Sequence, residues 1–334
     1  MPSLPKPRLP RTSRTRGGAV VVAPPEDHAT PRVEVIEGPD GLRWIKMDAW
    51  RAAERAWLEE RFDFHPLDYE DVGSRNQRPK VDEYDGYLFI VLQFPRYDKS
   101  VGRLNAAEVD VFVGPDFVLT IPPPPLAPLD YLFDRGRTND DIRQELFGKG
   151  AGYLLYRVVD QCVDASFPML RKVGNKLERL EEDVFQGRSN EVVRDIFEVK
   201  QEIINFRKVI RPMRTAVADL ERTKRYMPDD LDIYFDDIND ASERIWDMLE
   251  NFKEVVEALE STNEAVISHR LNDILRVLTA ISVVVLPLTL VASVWGMNVR
   301  VPGQGHIEGF WIVVGVMVTL LVGTLTAFRR RGVL

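Results

Sequence analysis

The chain has 334 residues, with 44 Lys and Arg against 52 Asp and Glu, a net charge of −8, one cysteine and four histidines. An acidic body lacks the clustered Lys and Arg that displace counterions from nucleic acid, so that class of partner is excluded. Cys162 alone can form neither an intramolecular disulfide nor a Cys-based zinc cluster, and the histidines are scattered without metal-ligand spacing.

Residues 1–31 read as a disordered basic arm, with six prolines in the first 25 residues and Lys6, Arg8, Arg11, Arg14 and Arg16. The apolar run Ala19–Ala23 is too short for a signal peptide. A weak contact of this arm with anionic lipid is conceivable from its charge; a solvated tail is the simpler reading. Residues 32–150 alternate between strand and helix signals. Val33–Glu37 and Leu42–Ile45 flank a Pro-Asp-Gly turn, and Ala49–Phe62 has helical spacing with Ala53, Ala56 and Trp57 on one face. Tyr87–Phe94 is a buried strand by its nearly unbroken apolar character. Val109–Val113 and Phe117–Ile121 follow, joined around Gly114-Pro-Asp. An antiparallel sheet with helices on one side or at its ends is expected.

Residues 151–270 form a long helical stalk. Ile238, Ala241, Ile245, Met248, Phe252, Val255 and Leu259 make one apolar seam, and Leu177, Leu180, Val184, Ile196, Ile203 and Ile210 behave likewise. Such a seam is core. Two uncharged runs then decide the class: Val277–Val299, 23 residues, and Gly309–Phe328, 20 residues. A hydrocarbon layer of about 30 Å needs about 20 helical residues, so both can span it. Pro287 within the first is tolerated in a membrane helix, where neighbours re-satisfy the freed carbonyl. The boundaries read as a first span at 271–298, an outer loop at 299–309, a second span at 310–328 and a basic tail at 329–334. Arg270 and Arg276 precede the first uncharged run and Arg329-Arg-Arg follows the second, which directs both termini to the cytoplasm.

A two-helix hairpin is too small to enclose a pore, so conduction would need several subunits. The first span holds the polar exceptions Asn272, Thr279, Ser282, Thr289, Ser293 and Asn298; the second has only Thr319, Thr324 and Thr326. Periodicity leaves two readings open, a pore-lining stripe or hydroxyls bonded to their own backbone.

Trp295-Gly296-Met297-Asn298, between two spans near the C-terminus, resembles the Y-G-M-N signature of the CorA family of divalent-cation (magnesium) transporters. The resemblance extends through Leu271–Thr279, Pro287-Leu-Thr, Gln77–Val81, Tyr87–Leu92, Tyr153-Leu-Leu-Tyr and Tyr234-Phe-Asp-Asp, and covers nearly everything after residue 32. It implies an α+β cytoplasmic domain, long stalk helices and two C-terminal spans in a funnel-shaped homopentamer of the bacterial inner membrane. Gly296, Met297 and Asn298 would form the selectivity motif, with Gly296 permitting a backbone turn. Asn272, Leu275, Leu278, Thr279, Leu286 and Thr289 would line the pore. Asp237, with Asp98 from the N-terminal domain as partner, would bind regulatory Mg²⁺.

The implied function is channel-like Mg²⁺ influx, with Mg²⁺ as transported and regulatory ion and no other cofactor. Neither an enzyme's nucleophile–base set nor a nucleotide-binding P-loop is present in the sequence. Potential alone suffices to drive entry, since a divalent ion gains about 4.6 kcal/mol per 100 mV, from about 2.3 per charge. Two departures bear on the ion. Trp295 stands for Tyr, and Arg300 stands where the family commonly carries acids, with Glu308 the nearest acid and His306 alone in the loop. A transporter of Zn²⁺, Co²⁺ or Ni²⁺ is therefore the alternative, and a membrane-anchored scaffold without conduction is the alternative of another class.

Overall fold

The computed structural model describes residues 30–74, 77–98, 100, 102–122, 126–186, 189–223, 225–226, 231–297 and 307–330. Six strands form one sheet: β1 (Val33–Glu37), β2 (Arg43–Met47), β3 (Lys80–Glu83), β4 (Leu88–Asp98), β5 (Arg103–Val113) and β6 (Phe117–Ile121), in the order β1-β2-β6-β5-β4-β3. The expected strands are present, but the sheet is not antiparallel throughout. β2 and β6 run parallel, Arg43 opposite Phe117 and Lys46 opposite Thr120. The long excursion through β3–β5 returns the chain beside β2 in the same sense, as a parallel pair requires.

Helices cover both faces of the sheet, another departure from expectation, and this explains the unbroken apolar run of β4. Leu88, Ile90, Leu92 and Phe94 point to one core, and Phe89 and Val91 to the other. With a period of two, a strand buried on both sides has no position left for a polar residue. The second core is closed by α1 (Ala52–Arg61) and α2 (Pro66–Ser74), through Leu58, Tyr69 and Val72. Lys80 ties β3 to α2 through Asp71 at 2.7 Å, and Gln93 Nε2 donates to the Gln77 carbonyl at 2.8 Å.

The first core is closed by α3 (Ala127–Thr138), α4 (Asp140–Phe147) and α5 (Gly150–Asp164). It continues into a bundle of α6 (Ser166–Gln186), α7 (Ser189–Thr223) and the N-terminal half of α8 (Asp232–Trp295). At 1.5 Å per residue the 64-residue α8 is about 96 Å long. Its buried stripe is Ile238, Ala241, Ile245, Leu249, Val256, Leu259 and Asn263, while Met248, Phe252 and Val255 flank it half-buried. The stripe is wider than a two-position seam because two helices, α6 and α7, cover it.

Beyond Asn263 burial on α8 falls away, and α9 (Ile307–Arg330) packs back against its far end. Both segments are long and apolar enough to cross a membrane, with mean hydropathy 2.4 and 2.2 in their most apolar windows. α8 continues unbroken through Pro287.

Candidate functional site

The α8–α9 contact fixes which side of α8 is taken. Ala280 is buried, and Val284, Pro287, Leu288 and Val291 are half-buried, a stripe that recurs at helical spacing. On α9 the matching stripe is Gly309, Val313, Met317, Leu321, Thr324 and Phe328, all half-buried. At about 100° per residue, Asn272, Leu275, Leu278, Thr279, Ser282, Leu286, Thr289 and Ser293 fall within an arc of about 120° on the opposite side. All eight are exposed in the single chain, Leu286 to 68% and Leu275 and Leu278 to 56%. The structure thus brings together every pore-lining candidate except the residues of the motif itself, and leaves their common face without a partner in the described chain.

The hydroxyls on this face donate backward. Thr279 Oγ1 bonds the Leu275 carbonyl at 2.7 Å, Ser282 Oγ that of Leu278 at 2.9 Å and Thr289 Oγ1 that of Val285 at 2.5 Å. The backbone-bonded reading of these residues is shown, and it leaves the pore-lining reading open. The donor is spent within the helix, while each oxygen keeps a lone pair able to accept.

The helix ends at Trp295. Gly296 caps it with φ −82° and ψ −5°, its N–H on the Ala292 carbonyl at 2.9 Å, and Met297 N–H reaches the Val294 carbonyl at 3.4 Å. This amends the expected role of the glycine. It uses no left-handed conformation; what it supplies is space, since a Cβ there would lie 3.0 Å from the Ala292 carbonyl oxygen. The last carbonyls of α8 and the negative end of the helix dipole lie at the C-terminal end of this helix, where they favour a cation. Met297 is exposed. Asn298, Arg300 and His306 lie outside the described residues.

Asp237, in the second turn of α8, is exposed. Asp98 sits at the tip of the β4–β5 hairpin, where its Oδ1 accepts from Ser100 N–H at 2.9 Å and Ser100 Oγ at 2.6 Å, and Gly102 turns the chain at φ +64°. That tip lies beside the Lys176–Phe197 region of α6 and α7. It is on the order of 30 Å along the bundle from Asp237, by helical rise. One chain does not bring Asp98 and Asp237 together. The acid that does accompany Asp237 is Asp160 on α5. Burial pushes its carboxyl up to about 6, and the charges of Asp164 and Asp237 push the same way. Nothing in the sequence links residues 160 and 237, since only the packing of α5 on α8 makes them neighbours. Among the described residues, no three His, Cys, Asp or Glu side chains are grouped to hold a metal ion.

The model of the family described as CorA-like Mg2+ transporter protein matches residues 39–330. The chain belongs to this family. It is 31% identical over 279 residues to the cobalt/magnesium transport protein CorA of Thermotoga maritima, covering 81% of this chain and 77% of that protein. Its fold is similar to the complete structure of the CorA magnesium transporter from Methanocaldococcus jannaschii, with a TM-score of 0.77, 20% identity, and 88% and 92% of the two chains covered. The ZntB cytoplasmic domain from Vibrio parahaemolyticus is also similar in fold, with a TM-score of 0.55, 13% identity, and 70% and 91% covered. The family is one of transporters, not of enzymes, and α8 and α9 are the apolar helices that fit a CorA-type membrane protein.

Proposed function

We propose that the chain assembles as a homopentamer in the bacterial inner membrane and passes Mg²⁺ inward through a pore lined by five copies of the α8 arc. The observation that carries this reading is the placement of the polar residues on the side of α8 that α9 leaves open. In a lone hairpin that side would put the hydroxyls of Thr279, Ser282, Thr289 and Ser293 into lipid; around an axis it meets water. The large N-terminal part and both termini face the cytoplasm, as the flanking arginines favour.

Asn298 would ring the outer mouth, its amide oxygens holding the waters that Mg²⁺ gives up reluctantly. A carboxylate ring would hold the ion harder and slow its release. Asn272 forms a second polar ring, and Leu275, Leu278 and Leu286 are apolar constrictions that close by dewetting. Asp237 of one subunit and Asp98 of its neighbour would hold a regulatory Mg²⁺, whose loss leaves like charges facing each other and loosens the closed state. The two aspartates stand about 30 Å apart along the bundle, an offset that rotation about an axis parallel to α8 keeps, so this pairing requires subunits tilted against that axis.

The relative from Thermotoga maritima carries cobalt as well as magnesium in its name. Arg300 in place of a loop acid supports a second reading, transport of Zn²⁺, Co²⁺ or Ni²⁺. Flux of Mg²⁺, Zn²⁺ and Co²⁺ into proteoliposomes under an inside-negative potential, comparing the native chain with Asn298→Ala, tests both. Mg²⁺ flux that the substitution abolishes is the expected result. Zn²⁺ or Co²⁺ flux alone establishes the second reading, and no flux from the assembled protein refutes transport.

A further inference from the structure

Within the stalk, α7 and α8 leave a groove of about 290 Å³ between them. Ile203 and Ile204 of α7 and Val256 of α8 give it apolar walls, and Trp246 lies at the end nearer the N-terminus of α8. The antiparallel pairs Arg214–Glu243 and Arg207–Glu250 bracket that end. Lys208 and Arg211 fall between those two arginines on α7, so they stand at about the height of Trp246. The guanidiniums of Arg207 and Arg214 lie 4.9 and 5.6 Å from the indole centroid, which holds the ring in place by cation–π attraction.

The groove is lined by five cations, and three of them have a carboxylate partner. Lys200 pairs with Glu260 at 2.6 Å, Arg207 with Glu250, and Lys253 with Glu257 at 3.8 Å. Lys208 and Arg211, both exposed, have no ion pair among the described residues. They stand three apart on one helix face, where like charges repel. Two positive charges are thus left in excess, side by side and next to apolar walls.

This combination selects a ligand chemistry. A carboxylate offsets one charge only, and a simple anion leaves the apolar walls wet. A phosphate monoester carries about two negative charges at neutral pH and three acceptor oxygens. Those oxygens suit the fork of a guanidinium beside an ammonium. A cavity of this size is at the small end of ligand sites, which limits the rest of the molecule to about a nucleoside.

We propose that the α7–α8 groove binds a phosphate monoester with a flat apolar body, its phosphate on Lys208 and Arg211 and its body against Ile204 and Val256. The bound molecule ties α7 to α8 and so favours the packed stalk over any arrangement that parts the two helices. The proposal is independent of what the spans conduct.

Calorimetric titration of the purified full-length protein tests it, with AMP and phenyl phosphate set against adenosine and inorganic phosphate. At least one ester should bind about tenfold more tightly than either adenosine or phosphate. Lys208→Glu combined with Arg211→Glu, both at exposed positions, should weaken that ester about tenfold, while Lys172→Glu on the exposed side of α6 leaves it unchanged. Ile204→Gln should weaken the ester severalfold and leave phosphate as it was. Esters that bind no better than phosphate overturn the proposal, because the apolar walls then take no part. Ester binding that survives the double charge reversal lies elsewhere and overturns it too, as does the absence of any binding. Mg²⁺ flux is measured separately, so intact flux without ester binding refutes this proposal and leaves transport standing.

Discussion

The two halves of α8 are one continuous helix built for two different solvents. In the N-terminal half a single stripe from Ile238 to Asn263 is buried, and most of the remaining surface carries charge. From Val277 to Trp295 the order inverts. Apolar side chains cover most of the circumference, one stripe meets α9, and the polar residues gather on a third face. A water-facing helix hides its apolar stripe, whereas a lipid-facing helix displays apolar surface and hides what is polar. The change occurs without a break in the helix.

The largest effect that separates the halves is expected from one substitution made in each. Leu249→Ala, at a fully buried position, should lower stability by about 2–5 kcal/mol, measured by chemical unfolding of the purified full chain. Leu286→Ala, on the open arc, should cost less than about 1 kcal/mol in the same measurement yet raise Mg²⁺ flux, because it widens an apolar constriction. Equal destabilisation by both would place Leu286 in a packed core and break the comparison.

A second contrast concerns charge. In the stalk, ionic groups stand at the edge of the bundle in pairs such as Lys200–Glu260. In the sheet, Asp110 on β5 is fully buried, and neither carboxylate oxygen has a hydrogen-bond partner. Burial raises its pKa well above the ordinary value; Glu108 and Asp71 add to this and Lys80 opposes it. Burial thus favours the neutral form in the folded chain, while the unfolded chain ionises this group near pH 4. Its contribution to stability is therefore present below about pH 4 and declines as pH rises toward the folded pKa, by up to about 1.4 kcal/mol per unit. Asp110→Asn should remove that decline, so that the gap between variant and native chain widens with pH. A constant gap from pH 4 to 8 would refute it. The substitution should leave ion flux unchanged, since Asp110 belongs to the sheet.

What was legible in the sequence is what a one-dimensional period encodes. The run around Phe89, the stripe through Ile245 and the two uncharged runs each announce an element, because each is set by a face meeting one environment. β3 was missed because Lys80–Glu83 is short and largely polar, and α2 because its exposed Leu67 blurs the apolar pattern. The parallel pairing of β2 with β6 is a matter of topology, and no local pattern carries it. In the site, the polar stripe of the first span was legible, but the side taken by α9 was not, since Ala280, Val284 and Val291 look like the rest of the span. Asp160 beside Asp237 was invisible for the same reason as the parallel strands: 77 residues of chain separate them.

The smallest expected effect is the most discriminating for the open arc. Thr289 on α8 and Thr319 on α9 each bond back to their own helix, to Val285 at 2.5 Å and Gly315 at 2.8 Å. Replacing either by Val removes a similar hydrogen bond within a span, at a cost of about 1 kcal/mol or less. Backbone bonding alone therefore gives the two variants the same phenotype. If the α8 arc faces a water-filled axis, Thr289→Val also removes an oxygen that hydrated Mg²⁺ passes, and its flux should fall while Thr319→Val conducts as the native chain does. Matched flux in the two variants would return Thr289 to a purely structural role and assign the pore surface to another face of the helix.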